Sequence, residues 1–137
     1  MSPWIYNNQE MLDISSFPEN TFGFVYKITH LPTEKIYIGK KVLFHNRKVK
    51  LGKKELAQYE GVVGRRPSYK IAVKESNWNK YYGSNKSLLE LINEEPYENF
   101  SRDILLFAPT KKLLTYYETQ VLFVYRVLEE PEMYFND

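Results

Sequence analysis

The sequence predicts an α+β domain: a three-stranded antiparallel sheet flanked by helices, in the order β-β-α-α-β-α. Three observations carry this. Residues 22–41, FGFVYKITHLPTEKIYIGKK, hold two runs of β-forming residues, each with a tyrosine, separated by Leu31-Pro32-Thr33-Glu34. Residues 99–107, NFSRDILLF, read as a later strand, and two stretches with helix caps, SLLELINEE and about 110–128, read as helices. Strands and helices of this kind bury their apolar faces against one another in a layered α+β arrangement.

Taken in order, residues 1–20 read as an N-terminal arm. Trp4, Ile5 and Tyr6 pack onto the domain, Asn7 to Ile14 allow a turn or two of helix, and Pro18 interrupts before the first strand. The single domain is expected over 21–137, with a basic insertion at about 45–75. Phe22, Phe24, Tyr26 and Ile28 alternate with Gly23, Val25, Lys27 and Thr29, as a half-buried strand requires. If the loop is residues 31–34, then 30 pairs with 35, 28 with 37 and 26 with 39. That register puts Tyr26 and Tyr37 on one face with Gly39 across from Tyr26, whereas a loop one residue longer or shorter separates them.

Between 42 and 82, Gly52, Gly61, Gly64 and Pro67 forbid one long helix. A first helix is expected within 43–60, followed by a basic loop around Gly64-Arg65-Arg66-Pro67. Ser84 or Ser87 can cap the helix SLLELINEE, Ser87 and Glu90 have capping-box spacing, and Pro96 ends it. Thr110 suits the cap of the last helix. Tyr134 and Phe135 anchor an acidic tail.

A chain of 137 residues supports one domain with a real core. No apolar run approaches the roughly 18 residues of a membrane span, and the first residues lack a secretion-signal pattern. With no cysteine, disulfides, thiolate zinc sites and cysteine nucleophiles are excluded. The expectation is a cytoplasmic protein with no membrane partner. Net charge is only +2, yet Lys40 to Lys86 hold 13 Lys/Arg against 3 Glu. The rest holds 6 against 14 acids, so +10 in one segment opposes −8 elsewhere. Such segregation suits either a basic surface facing a polyanion or a solvated basic loop.

In the last helix, Leu114, Glu118, Val121, Tyr125 and Leu128 share one stripe by their 4-3-4-3 spacing. A carboxylate on that stripe needs a hydrogen-bonding partner, an ion pair or a metal. Both a buried tyrosine or arginine partner and a hard cation remain open for Glu118; Mg²⁺ takes one or two protein carboxylates and completes its shell with water and phosphate oxygen. Arg47 follows Gly39 by eight residues and reads alone as a surface charge; His45, two residues before it, is given no role. Lys40 follows the glycine directly, where its charge can meet a phosphate or lower a tyrosine's pKa. His30, at the hairpin turn, reads as solvent-facing. Trp78, Tyr81 and Tyr82 interleave with Lys80 and Lys86, which suits base stacking, although Trp78 reads equally as core. Gly83-Ser84-Asn85 at a helix N-terminus offers N–H groups to a phosphate.

These residues resemble the GIY-YIG nuclease signature. Phe24-Val25-Tyr26 stands where that family has Gly-Ile-Tyr, and Tyr37-Ile38-Gly39 is the second half unaltered. The resemblance runs over about residues 22–137, and NKYYGSNKSLLELI is similar to the small stand-alone phage members, often homing-type endonucleases. It departs at Phe24 and in the basic insertion. The resemblance implies metal-assisted hydrolysis of DNA with Mg²⁺ or Mn²⁺ held by Glu118, Tyr26 or Tyr37 assisting the water, and Arg47 gripping the scissile phosphate, with Arg65 and Arg66 as rivals. Lys40 joins the catalytic set. Lys41, Arg65, Arg66, Trp78, Lys80, Ser84, Asn85, Lys86 and Asn136 are the expected DNA contacts, Asn136 because an asparagine often ends these domains. A phage origin implies the host cytoplasm, and monomer and homodimer both stay open. The alternative is a non-catalytic nucleic-acid-binding module of the same fold.

Overall fold

The protein's structure, a computed structural model, describes residues 1–58, 61, 64 and 69–136. In chain order the elements are β1 (Trp4–Tyr6), β2 (Gln9–Met11), β3 (Gly23–His30), β4 (Lys35–Val42), β5 (Phe44–Lys50), α1 (Lys53–Ala57), β6 (Tyr69–Glu75), α2 (Lys86–Glu94), β7 (Phe100–Ala108) and α3 (Lys111–Val124). They fall into two units, one of Met1–Leu43 with Asn77–Asp137 and one of Phe44–Ser76. Among the described residues no helix is long and apolar enough to cross a membrane.

The larger unit is built on a mixed five-stranded sheet, ordered β2-β1-β7-β3-β4. This corrects the expected three strands and their order. The antiparallel trio β7-β3-β4 is as expected, but β1 and β2 add a hairpin where a turn of helix was anticipated, and β1 runs parallel to β7. Asn7 and Asn8 both adopt positive φ between β1 and β2, a conformation asparagine tolerates better than most residues and one that a two-residue hairpin requires. Asn-Asn was thus a hairpin signal that the sequence reading passed over.

The β3–β4 register is Tyr26↔Gly39, Ile28↔Tyr37 and His30↔Lys35, the pairing of a loop formed by residues 31–34. Each sheet face has its own core. On one face Leu114 and Val121 of α3 pack with Val25, Ile38, Ala108, Val127 and Tyr134. The other face is aromatic: Trp4 lies edge-on to Phe24 at 5.0 Å and to Tyr26 at 5.2 Å. Arg102 of β7 is buried there, donating to the carbonyls of Ser2, Asn79 and Tyr81 and sitting 4.7 Å from the Trp4 ring and 4.2 Å from the Tyr82 ring. Its guanidinium ties the N-terminus and the 77–82 segment to one strand. Burial lowers its pKa to about 10, so it remains charged at neutral pH.

Helix boundaries follow their caps. Thr110 accepts from the Leu113 N–H and starts α3, as its sequence position suggested. In α2 the cap is Asn85, whose side chain accepts from the Leu88 N–H, rather than Ser84 or Ser87. α3 ends at Val124 because Arg126 takes a left-handed conformation, so Leu128 leaves the apolar stripe and is 76% exposed while Val127 is buried instead. The tail then covers the outer edge of β4: Ile36 N–H donates to the Met133 carbonyl, and the Phe135 N–H donates to the Ile36 carbonyl. His30 is buried rather than solvent-facing, bonded to Thr33 Oγ1 at 2.7 Å and to Glu95 Oε1 at 2.9 Å.

The smaller unit corrects the expected helix within 43–60. Residues 44–50 are strand β5, which pairs antiparallel with β6 over seven positions, and among the described residues of this stretch only Lys53–Ala57 are helical. Asn46, Arg47 and Val49 between flanking basic residues give little helical periodicity, and β-branched Ile71 and Val73 supply the partner strand.

Candidate active site

The hairpin register brings Tyr26 and Tyr37 to one face, with ring centroids 6.1 Å apart. Gly39 lies between them, and a Cβ there would come within 2.6 Å of Tyr26 Cζ and 3.1 Å of Tyr37 Cε2. Residues 77–85 close over this face. Tyr81 stands edge-on to Tyr26 at 6.0 Å, and the Lys41 ammonium lies 4.0 Å from the Tyr81 ring centre. Gly83, at φ +90°, passes where a Cβ would be 3.0 Å from Tyr37 Cε2. Glycine here serves both the positive φ and the close approach. The Tyr37 hydroxyl reaches Ser84 Oγ at 3.1 Å.

Burial pushes the Tyr26 hydroxyl's pKa far above the usual tyrosine range, reinforced by the charges of Tyr81, Tyr37 and Glu118 and by a hydrogen bond with Tyr81. Its proton therefore stays on throughout the physiological range. Burial also lowers the Lys41 pKa. Tyr37, by contrast, is only half-buried.

Lys40 and Glu118 approach from the other side of β4. Lys40 alternates with Ile38 onto the face that α3 covers, where its ammonium bonds Thr115 Oγ1 at 2.9 Å and lies 3.9 Å from Glu118 Oε1. Burial raises the Glu118 pKa and Lys40 partly offsets it. The four residues thus surround the Gly39 end of β4 from two sides rather than lining one face, and Glu118 is still close enough for its charge to act on Tyr26. Thr115 was missed; it sits three residues before Glu118, a spacing that places both on one helix face.

Other expected contacts divide by accessibility. Lys80, Ser84 and Lys86 are exposed. Trp78 is not available to stack a base: it is 1% exposed, its carbonyl accepts from Trp4 Nε1, and its ring meets Phe17 at 4.9 Å. Asn85 is committed as the α2 cap and donates to the Phe135 carbonyl. Asn136 mimics a strand residue, accepting from the Ile38 N–H at 3.0 Å and donating to its carbonyl at 2.8 Å, so its amide holds the tail to β4. Arg47 is exposed on β5 of the smaller unit, opposite Ala72, and not on a helix. Arg65 and Arg66 lie outside the described residues. In the larger unit the two arginines are Arg102, which is buried, and Arg126, which pairs with Glu129.

This sheet with its flanking helices, taken with the family comparison, indicates a nuclease-type fold that acts on nucleic acid. The chain belongs to the GIY-YIG family: the family model described as "Putative endonuclease segE, GIY-YIG domain" matches residues 4–137. No curated protein and no solved structure gave a significant match.

Proposed function

We propose that the chain is a DNA endonuclease that hydrolyses phosphodiester bonds with one divalent cation, Mg²⁺ or Mn²⁺, held by Glu118. The observation that carries this is the meeting of Tyr26, Tyr37, Lys40 and Glu118 around Gly39. The donor set suits such an ion. Among the described residues there is no group of three or more His, Asp or Glu, so a cation would take one carboxylate and complete its shell from water and phosphate oxygen, as Mg²⁺ does. A half-buried carboxylate whose charge is penalised by burial gains from a bound cation. When bound, the ion supplies charge neutralisation at the phosphate and the leaving oxygen.

The chain's own residues then have separate parts. Tyr37, with its hydroxyl on Ser84 at the accessible side, orients the attacking water. Tyr26 keeps its proton and acts as a fixed hydroxyl that positions Tyr81 and Tyr37. Lys40 holds positive charge beside Glu118. Arg47 is the guanidinium assigned to the phosphate, a role its planar donors suit. Lys41, Lys80, Ser84 and Lys86 extend the contact to the DNA backbone.

The binding-only reading is favoured by one observation, the position of Arg47 on a strand of the smaller unit. Incubating supercoiled plasmid with the protein and Mg²⁺ or Mn²⁺ decides between them. Cleavage that is lost in Glu118→Ala and in Arg47→Ala supports the endonuclease; binding without cleavage of any DNA form by the wild type supports the module.

A further inference from the structure

The strand pair β5–β6 has two unlike faces. Alternation puts His45↔Lys74, Arg47↔Ala72 and Val49↔Lys70 on one, and Phe44↔Glu75, Asn46↔Val73, Lys48↔Ile71 and Lys50↔Tyr69 on the other. α1 serves the first face: Glu55 binds Lys70 at 2.8 Å, and Val49 and Ala72 are half-buried. The second face is open. Tyr69, Ile71 and Val73 are 59%, 67% and 66% exposed, and Asn46, Lys48 and Lys50 are exposed beside them.

An isolated two-stranded ribbon is marginally stable in water, and three large apolar side chains in solvent add to that cost. Their neighbours say what would cover them. Phe44–Ser76 carry nine Lys/Arg against three Glu; two of those lysines and one of the glutamates, Glu75, lie on the open face. With nine cations against three acids, two copies of this segment repel each other, whereas a polyanion neutralises the excess charge. Two strands about 4.8 Å apart fit the major groove of B-DNA, about 12 Å wide. The chemistry there matches base edges: an amide suits adenine, lysines suit guanine or phosphate, and aliphatic side chains suit the thymine methyl.

We propose that the open face of β5–β6 enters the major groove of duplex DNA and reads sequence there, with Asn46 as a polar reader, Tyr69, Ile71 and Val73 as apolar ones, and Lys48 and Lys50 on the flanking phosphates. This rests on the nucleic-acid reading of the chain and adds where its sequence selectivity resides. Specificity is thereby carried by an insertion of the nuclease domain itself.

The test is selection of bound duplexes from a randomised pool, with divalent cations chelated so that binding is read without turnover. Wild type enriches a motif. Asn46→Ala/Ile71→Ser/Val73→Ser loses it while retaining weaker, unselective binding. Lys48→Ala/Lys50→Ala weakens all duplexes and lowers the slope of log affinity against log salt by about 2, near one for each lost phosphate contact. All five positions are exposed, and an unchanged melting curve checks that the variants fold. No motif from wild type, or the same motif from the triple variant, overturns the proposal. So does a wild-type dimer that the triple variant dissociates with the motif intact, which would make the face a contact between copies. Plasmid cleavage run in parallel keeps the two readings apart. Cleavage with an unchanged motif removes the ribbon's role alone, and a motif lost in the variant without any cleavage by wild type removes only the nuclease.

Discussion

Gly39 lies directly across from Tyr26, and the tyrosine hydroxyl fills the space a Cβ on that glycine would need. Gly39→Ala must displace a buried aromatic ring packed against Trp4 and Tyr81. The expected cost is about 1–3 kcal/mol, as for overpacking elsewhere, read as a lower urea midpoint. Plasmid cleavage should fall by more than the folded fraction does, because the ring that moves is the one supporting Tyr37.

Glu118→Gln separates function from stability. On the proposed role of Glu118 as the carboxylate that holds a cation, its loss removes several kcal/mol of transition-state stabilisation, and cleavage should drop by about 100-fold or more. The Glu118 pKa is raised in the fold, so the native state binds this proton more tightly than the unfolded chain does. Stability is therefore lost as pH rises from the unfolded carboxylate pKa through the raised folded one. The amide avoids that loss: the variant should melt higher than wild type at pH 7, with the difference vanishing in acid. A variant that melts lower at pH 7 would contradict the assignment of burial as the dominant effect.

The two tyrosines should differ in what the loss of each hydroxyl does to the rate. Tyr26 holds its proton across the whole working range, so Tyr26→Phe leaves the shape of the profile unchanged even where it lowers the rate. Tyr37→Phe should cost about 100-fold, the lower end for a positioned proton-handling group. The larger loss appearing in Tyr26→Phe would reverse their roles.

Arg102→Met tests the attachment of the N-terminal strand. Three part-buried carbonyls, those of Ser2, Asn79 and Tyr81, would lose this donor. Water reaches part of this region, so the expected loss is about 1–3 kcal/mol in all, the cost of one buried group left unsatisfied. Proteolysis should then cut first near the N-terminus, where this guanidinium holds the Ser2 carbonyl and meets the Trp4 ring.

Glu95 supplies a pH signature away from the site. Hydrogen bonds from His30 and Asn99 lower its carboxyl pKa. A depressed acid pKa gives stability that is present above the unfolded value and lost as pH falls through the folded one. Glu95→Gln should lower the melting temperature at pH 7, and the gap should close below the carboxylate range.

The sequence was informative wherever chemistry is local. Alternation and a four-residue break set the β3–β4 register, Thr110 marked the start of α3, and the 4-3-4-3 spacing marked Glu118 as a carboxylate among apolar residues. It misled where identity is ambiguous until a partner is known. Trp78 carries cations on either side in the sequence, and only packing against Trp4 and Phe17 commits it to the core. Asn85 and Asn136 have side chains that suit a phosphate, and both are spent on backbone groups 50 and 98 residues away.

What the chain determined by itself is the hairpin that sets Tyr26 beside Tyr37 and Gly39, because a strand's two-residue period and a short turn are fixed by neighbours in sequence. Tertiary structure decided the rest. Sheet pairing over about a hundred residues brought the N-terminal strand to β7. Packing of α3 placed Glu118 across the strand from the tyrosines. Pairing of residues 44–50 with 69–75 turned an expected helix into a ribbon. Each of these depends on contacts between distant segments, and no local pattern records which distant segment will supply the partner.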